Sequence, residues 1–334
     1  MDIGIIGKGI AGLTTAIAIL EKKPEHTCWI FAPQSLEDSA SYGALGVMSS
    51  KGLILANNSI FYEKIAGGCK LLQSLDPSIP QIKGIWEPYA DKDEFQLRKD
   101  RSYHRYSTGA FLYKKETSFL ESFIKKSSIE WFQGAFFYPQ DGWFDPRCYL
   151  NFLVKKAEDL GVRFIDGSIT QFSSTEDKKL QIHIPEVFPK KFDELIICSG
   201  FGTDEIFKAS QFYFEKTIFL SKGSTWFFSN PHPDSFVLKF GKHSLISYNN
   251  LFLTGGFEKW EDMDKGLARI LEPLISGKSY QEISRERAFV QGKEPVIGSF
   301  PFGGHRIICN FGYYKNGFAL ASYGAQRVLD ALRG

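Results

Sequence analysis

The chain has 334 residues, 43% of them hydrophobic and 23% charged, with 40 basic against 38 acidic residues and a formal charge of +2. That length exceeds what one core usually fills, so two domains or two interleaved lobes are expected. The balanced charge gives no argument for a polyanionic partner, and no run approaches the roughly 18 apolar residues of a membrane span.

A strand-like run opens the sequence at Asp2–Ile6 with no basic segment or cleavage site, so no secretory leader is expected. The five cysteines (Cys28, Cys69, Cys148, Cys198, Cys309) are odd in number and show no C-x-x-C spacing. Three of them, Cys28, Cys198 and Cys309, lie in apolar runs and read as small hydrophobes. A reducing, cytoplasmic location is the expectation. Lys-Lys pairs at 22–23, 114–115, 125–126, 155–156, 178–179 and 190–191 read as solvated faces.

In chain order, residues 2–7 read as a buried strand and 10–23 as a helix with Leu13, Ala16, Ile17 and Leu20 on one face. Pro24 stops that helix, and "TCWIFAP" (27–33) reads as a second strand, completing a β-α-β unit. Residues 80–140 mix aromatic, β-branched and turn residues, as expected of antiparallel strands joined by hairpins. "YLNFLVKKAEDLGVRFI" (149–165) reads as a helix, a break at Gly161 and a strand. "FDELIICSG" (192–200) is an apolar strand ending on serine and glycine, and 212–262 repeats the antiparallel character. Residues 305–334 read as a strand, a glycine-rich turn and an amphipathic helix. This alternation predicts an α/β fold of two discontinuous lobes. One is Rossmann-like (1–79, 141–211 and 285–334), and the other is an interleaved antiparallel-β lobe (80–140 and 212–284).

The loop "GKGIAG" carries the clearest chemistry. Gly7 would make the tight turn out of the strand, Gly9 would admit a pyrophosphate, and Gly12 would let the helix pack closely. The N–H groups at Gly9, Ile10, Ala11 and Gly12, with the positive end of the helix dipole, would bind the diphosphate. The loop follows a strand, opens a helix and precedes a second strand, which is the context dinucleotide binding requires. The acid that would hold the ribose hydroxyls falls at Ala32, which leaves Glu37, Asp38 or another group for that contact.

Six segments, in this order and spacing, resemble the D-amino-acid oxidase and glycine oxidase family of FAD enzymes over nearly the whole chain. They are "GIIGKGIAGLTTA" (4–16), "SASYGALGVMS" (39–49), "YPQDGWFDPRCYL" (138–150), "LIICSGFG" (195–202), "RAFVQGKEPVIG" (287–298) and "GYYKNGFALAS" (312–322). The resemblance implies FAD as cofactor. It further implies cofactor contacts from Ser41, Gly46 and Val47, from Ile169, from Gly200, and from Asn316, Gly317 and Phe318. The start of the last helix at Gly317 would aim N–H groups and dipole at the flavin C2=O. The family's carboxylate-binding arginine stands eight residues before the proline of "P-x-I-G", which is Arg287 before Pro295. The surrounding "Arg285-Glu286-Arg287-Ala288" differs from the family's usual "G-L-R-P", so Arg285 is the alternative. Lys315 stands where the family often carries arginine, beside flavin and substrate.

Oxidation of an amino acid at a flavin requires an oriented Cα–H, a neutral amine and a fixed carboxylate. An arginine fork suits the carboxylate, and a tyrosine adds a further bond. Tyr248 is the candidate for that bond, with Tyr42 and Tyr313 as competitors. No histidine cluster or nucleophile elbow points to a metal site or a hydrolase. The expected function is oxidation of the C–N bond of glycine or of a small N-substituted or D-amino acid, with an amino-acid-like small molecule as partner. Two alternatives stay open. The sequence also resembles the FAD-containing half of the bacterial enzyme that removes the carboxymethyl group from carboxymethylaminomethyl-uridine in tRNA. A flavin-binding protein without turnover is the other.

Overall fold

The computed structural model describes residues 1–33, 35–49, 64–65, 67–89, 111–113, 134–177, 179–185, 187–229, 234–241, 243–257, 262–263 and 265–333. Lys114, Lys115, Lys125, Lys126 and Lys178 of the lysine pairs lie outside them. Elements follow in the order β1 (Asp2–Ile6), α1 (Ile10–Lys22), β2 (Thr27–Ala32), β3 (Val47–Met48), α2 (Leu71–Ser74), β4 (Gln81–Tyr89), β5 (Phe111–Tyr113) and β6 (Gly134–Phe144). Next come α3 (Pro146–Asp159), β7 (Arg163–Asp166), β8 (Gln171–Ser174), β9 (Leu180–Ile184), β10 (Val187–Phe192), β11 (Glu194–Ile197) and α4 (Thr203–Ala209). The remainder is β12 (Ile218–Ser229), β13 (Phe236–Phe240), β14 (His243–Tyr248), β15 (Leu251–Phe257), α5 (Lys265–Ile275), β16 (Tyr280–Val290), β17 (Val296–Phe302), β18 (His305–Phe311) and α6 (Gly317–Arg333).

The chain divides into two compact units. The first comprises Met1–Gly43, Pro146–Lys222 and Arg285–Gly334. The second comprises Ala44–Asp145 and Gly223–Ser284. Its first boundary falls at 43/44, not at the 79/80 expected from sequence. The reason is pairing: Val47 and Met48 add β3 to the antiparallel edge of β6, opposite Trp143 and Gly142. The boundary expected at 211/212 moves to 222/223, inside the continuous strand β12.

The α/β unit is built on a six-stranded sheet in the order β17-β18-β11-β1-β2-β7. β1 runs parallel to both β2 and β11, β11 to β18, and β2 to β7, while β17 returns antiparallel. Strands buried on both faces read as continuous apolar runs, and Ile3, Ile5 and Ile6 of β1 are at most 1% exposed. α1 lies on one face with Leu13, Ala16, Ile17 and Leu20 buried, as their helical spacing predicts. The other face carries the meander β8-β9-β10, whose Phe172, Leu180, Ile182 and Phe192 form one core with Phe31, Leu195 and Ile197.

The β-rich unit holds a sheet in the order β16-β12-β15-β14-β13-β4-β6-β3, with β5 on β6. β12, β15, β14 and β13 pair antiparallel, as do β4 and β6. One junction departs from the expected hairpin pattern: β13 runs parallel to β4 at Leu238↔Trp86. No hairpin joins these two segments, so no turn dictates their relative direction. Among the described residues, no helix is long and apolar enough to cross a membrane.

Candidate cofactor and substrate site

The glycine loop is shaped by its own packing. Gly7 has φ +113°, and a Cβ there would stand 2.4 Å from the Cys198 carbonyl oxygen. Its N–H donates to the Phe31 carbonyl at 2.9 Å, which ties the turn across β2. Gly12 is closer still: a Cβ would lie 1.9 Å from the Gly7 carbonyl oxygen. Gly9 differs. Its φ of −75° and ψ of −174° suit any residue, and an added Cβ meets only Ser41 Oγ, at 3.3 Å. The chain itself therefore makes no strong demand for glycine at 9. A ligand drawn close to the start of α1 would.

Gly9 caps α1 without a side-chain bond, and no acid stands in the first turn. The backbone donors of that turn have no intrahelical partner, and the Ile10 N–H donates to Ser41 Oγ at 3.1 Å. Ile10 and Ala11 are buried. The start of α6 meets the same place, since a Cβ at Gly317 would touch Ile10 Cγ2 at 3.4 Å. Two helix N-termini thus converge, each with a positive dipole end. Asn316 opens α6, accepting from the Leu320 N–H at 2.9 Å. Phe318 packs its half-buried ring against Tyr149, centroids 6.1 Å apart. Gly200, at φ +56°, follows the Cys198–Ser199 backbone that faces Gly7. Its carbonyl accepts from Thr203 Oγ1 at 2.8 Å. Ile169, in the turn after β7, packs its side chain on the core beneath the sheet.

An acid-free strand–turn–helix cradle with converging helix starts fits the diphosphate of FAD. No acid for the ribose hydroxyls stands at the end of β2. Ala32 is buried. Glu37 gives its carbonyl to Arg285 Nε, and the Asp38 carboxylate lies 4.0 Å from the same guanidinium.

That contact separates the two arginines of β16. Arg285 is tied to the 37–38 segment. Arg287, also half-buried, sits near Tyr314, and burial lowers its guanidinium pKa while Tyr314 opposes the shift. Among the described residues Arg287 has no hydrogen bond or ion pair. Tyr314 adopts φ +54°, donates its N–H to the Ala288 carbonyl at 3.3 Å, and has the Lys293 and Lys315 ammonium groups each 5.3 Å from its ring. Lys315 is exposed. Tyr314 is the residue that sequence reasoning missed here; only its place between Tyr313 and Lys315 could have drawn attention to it. Tyr313 itself is buried and donates its hydroxyl to Asn310 Oδ1. Asn310 in turn donates to Thr15 Oγ1 at 2.9 Å.

Gly46, Val47 and Tyr248 belong to the β-rich unit, where the structure brings them together around Trp143. Gly46 has φ +82° and accepts from the Phe144 N–H at 3.2 Å. Val47 pairs with Trp143, whose indole N–H donates to the Leu45 carbonyl at 2.7 Å. The Tyr248 ring lies 5.1 Å from that of Trp143. Below this corner lies a polar network that the sequence reading did not include. The buried Lys239 ammonium donates to Ser49 Oγ at 2.8 Å, and the Ser49 hydroxyl donates to Asp141 Oδ2 at 3.0 Å. Desolvation lowers the Lys239 pKa, while Asp141 and Cys69 raise it. No metal-ligating cluster of His, Cys, Asp or Glu occurs among the described residues.

A parallel sheet with a glycine-cradled helix start at its carboxyl end defines a dinucleotide-binding protein with an added antiparallel-β unit. The chain belongs to the DAO family of FAD-dependent oxidoreductases, whose family model matches residues 2–331. Its fold is similar to that of iminodiacetate oxidase from Chelativorans sp. BNC1, with TM-score 0.80 at 13% identity, covering 99% of this chain and 95% of that one. Glycine oxidase from Geobacillus kaustophilus gives TM-score 0.78 at 16% identity, over 99% and 94% of the two chains. L-α-glycerophosphate oxidase from Mycoplasma pneumoniae, solved with FAD bound, gives 0.74 at 15% identity, over 100% and 94%. At these identities the likeness is one of fold.

Proposed function

We propose that this protein is an FAD-dependent oxidoreductase that oxidises the C–N bond of glycine or of a small N-substituted or D-amino acid. The observation that carries the reading is Arg287: a desolvated guanidinium with no acidic partner among the described residues. Such a cation suits a substrate carboxylate, because its planar fork gives two parallel charge-assisted bonds. Iminodiacetate and glycine, named for two of the similar structures, are both amino carboxylates.

Gly7, Gly9, Ile10, Ala11 and Gly12 would hold the diphosphate, with Ser41, Gly46, Val47, Ile169, Gly200, Asn316, Gly317 and Phe318 completing the cofactor contacts. When bound, FAD would supply the two-electron acceptor for a hydride, at flavin N5. The protein's part is orientation and electrostatics. In this reading Arg287 would fix the carboxylate, Lys315 would add positive charge, and Tyr248 is the tyrosine assigned to a further hydrogen bond. The amine must be neutral so that its lone pair assists hydride departure.

Anaerobic addition of glycine, sarcosine, iminodiacetate or D-alanine to the FAD-loaded protein tests this. Bleaching of the flavin band by one of these amino carboxylates is expected. Bleaching by none of them, alongside reduction by dithionite, would sink the substrate class. Titration with tRNA over a salt series separates the wobble-uridine reading, since phosphate contacts give steep salt dependence.

A further inference from the structure

The end of β2, where an acid for the ribose hydroxyls is expected, carries the buried Ala32. The neighbouring strand offers what that position lacks. β7 runs parallel to β2 with Ala32 in register with Asp166. The turn beyond is tied back by the Gly167 N–H, which donates to the Ala32 carbonyl at 3.2 Å. Parallel strands lie about 4.8 Å apart, and residues in register project to the same face. Asp166 therefore stands one strand over from the expected acid, at the same level of the sheet and on the same face.

Three features mark it as a ligand-facing group. Asp166 is exposed, at the carboxyl end of a parallel sheet, where ligands of such sheets bind. Lys8, the middle residue of Gly7-Lys8-Gly9, feels the Asp166 carboxylate, which opposes the downward pull of burial on its ammonium. The carboxylate and the glycine loop thus share one neighbourhood. Asp166 has no hydrogen bond or salt bridge among the described residues, whereas Asp38 already faces Arg285.

We infer that the Asp166 carboxylate, displaced by one strand from the expected position, accepts the adenosine ribose hydroxyls of the FAD held by the glycine loop. An ionised carboxylate only accepts hydrogen bonds and so matches a diol, which can donate two. It also repels a 2′-phosphate, which sets the site against phosphorylated dinucleotides. The inference rests on FAD occupying the glycine loop.

The test is a titration of apoprotein by flavin fluorescence with two ligands: FAD, and the FAD analogue built on 2′-deoxyadenosine. Wild-type protein should bind the analogue about ten- to a hundredfold more weakly, the range for a hydrogen bond to a charged group. Asp166→Ala should bind FAD as weakly as wild type binds the analogue, and should not distinguish the two ligands. Ala32→Glu added to that variant should restore the preference for FAD. Equal binding of both ligands by wild type overturns the assignment, even if the variant does not fold. So does an Asp166→Ala protein that keeps the full preference. Wild type that binds neither ligand overturns the cofactor reading itself, which is a distinguishable failure.

Discussion

Gly12 approaches Gly7 so closely that a single methyl group at 12 would stand 1.9 Å from the Gly7 carbonyl oxygen, a contact that neither backbone can absorb without moving. Gly9, between them, has ordinary backbone angles and a single side-chain neighbour, the rotatable Ser41 hydroxyl. The two glycines therefore fail differently. Gly12→Ala should destabilise the α/β unit by about 1–3 kcal/mol or more through overpacking, and flavin content should fall with it. Gly9→Val should keep the wild-type melting temperature within a few degrees and lose FAD. Thermal melts alongside flavin absorbance decide the matter. A Gly9→Val protein that purifies with full flavin would show that the loop does not cradle the diphosphate.

Arg285 and Arg287 give a second discriminating pair. Arg287→Ala should lower kcat/KM for amino acids by about 30-fold to several thousand-fold, from roughly 2–5 kcal/mol of lost pairing, with FAD content unchanged. Arg287→Lys should recover part of that, since an ammonium cannot make the two-bond fork. Arg285→Ala frees the Glu37 carbonyl and Asp38 and should have the smaller kinetic effect. The reverse ranking would move the carboxylate contact to Arg285.

Lys239 is buried at 8% exposure beside Asp141 at 3%. Removing only the acid strands a buried ammonium. Asp141→Asn should cost about 3–5 kcal/mol in chemical denaturation, and adding Lys239→Met should recover most of it. If the single variant is as stable as wild type, the charges are better solvated than their burial indicates.

Burial holds the thiols of Cys28, Cys69 and Cys198 up from an ordinary value near 9 to about 12. Between those values the folded state keeps protons that the unfolded state releases. Stability should therefore fall as pH rises from 9 toward 12, by about 1.4 kcal/mol per pH unit for each thiol. Replacing the three by alanine should reduce that slope in urea midpoints, leaving the part due to Cys309, Tyr149 and Tyr313, which burial also shifts upward. In the native protein at neutral pH, an alkylating reagent should modify the exposed Cys148 first, with the four buried cysteines following only on unfolding.

The β-α-β unit was legible in sequence because its constraints are local. A turn with φ > 0, a close helix–strand approach and a 3.6-residue apolar stripe leave marks within some twenty residues. The vacancy at Ala32 was equally visible. The neighbour at Asp166 was not, because the β2–β7 register is a tertiary fact that joins strands from distant parts of the chain. The same applies to residues 44–49. Their assignment to the β-rich unit follows from Val47 pairing with Trp143, which no short window contains. Lys239 did leave a trace, as the one charge in "FVLKF", but its partners Ser49 and Asp141 arrive from other strands. The choice between Arg285 and Arg287 could not be read from alternation, since residues two apart share a face. The contact with Glu37 shows only that their surroundings differ.

The hydrogen bond from Asn310 to Thr15 spans 295 residues, and the start of α6 presses on Ile10 at the opposite end of the sequence. The cradle thus joins residues near one end of this sequence to residues about 300 positions away. Until β18 and α6 are made, β11 lacks its outer neighbour and α1 lacks the helix beside it. Apolar strands of the parallel sheet are covered only when segments distant in sequence come together. So high a contact order makes for slow folding and exposure to aggregation, and loss of the residues beyond Phe311 should leave a chain that neither folds nor takes up flavin, however intact its glycine loop.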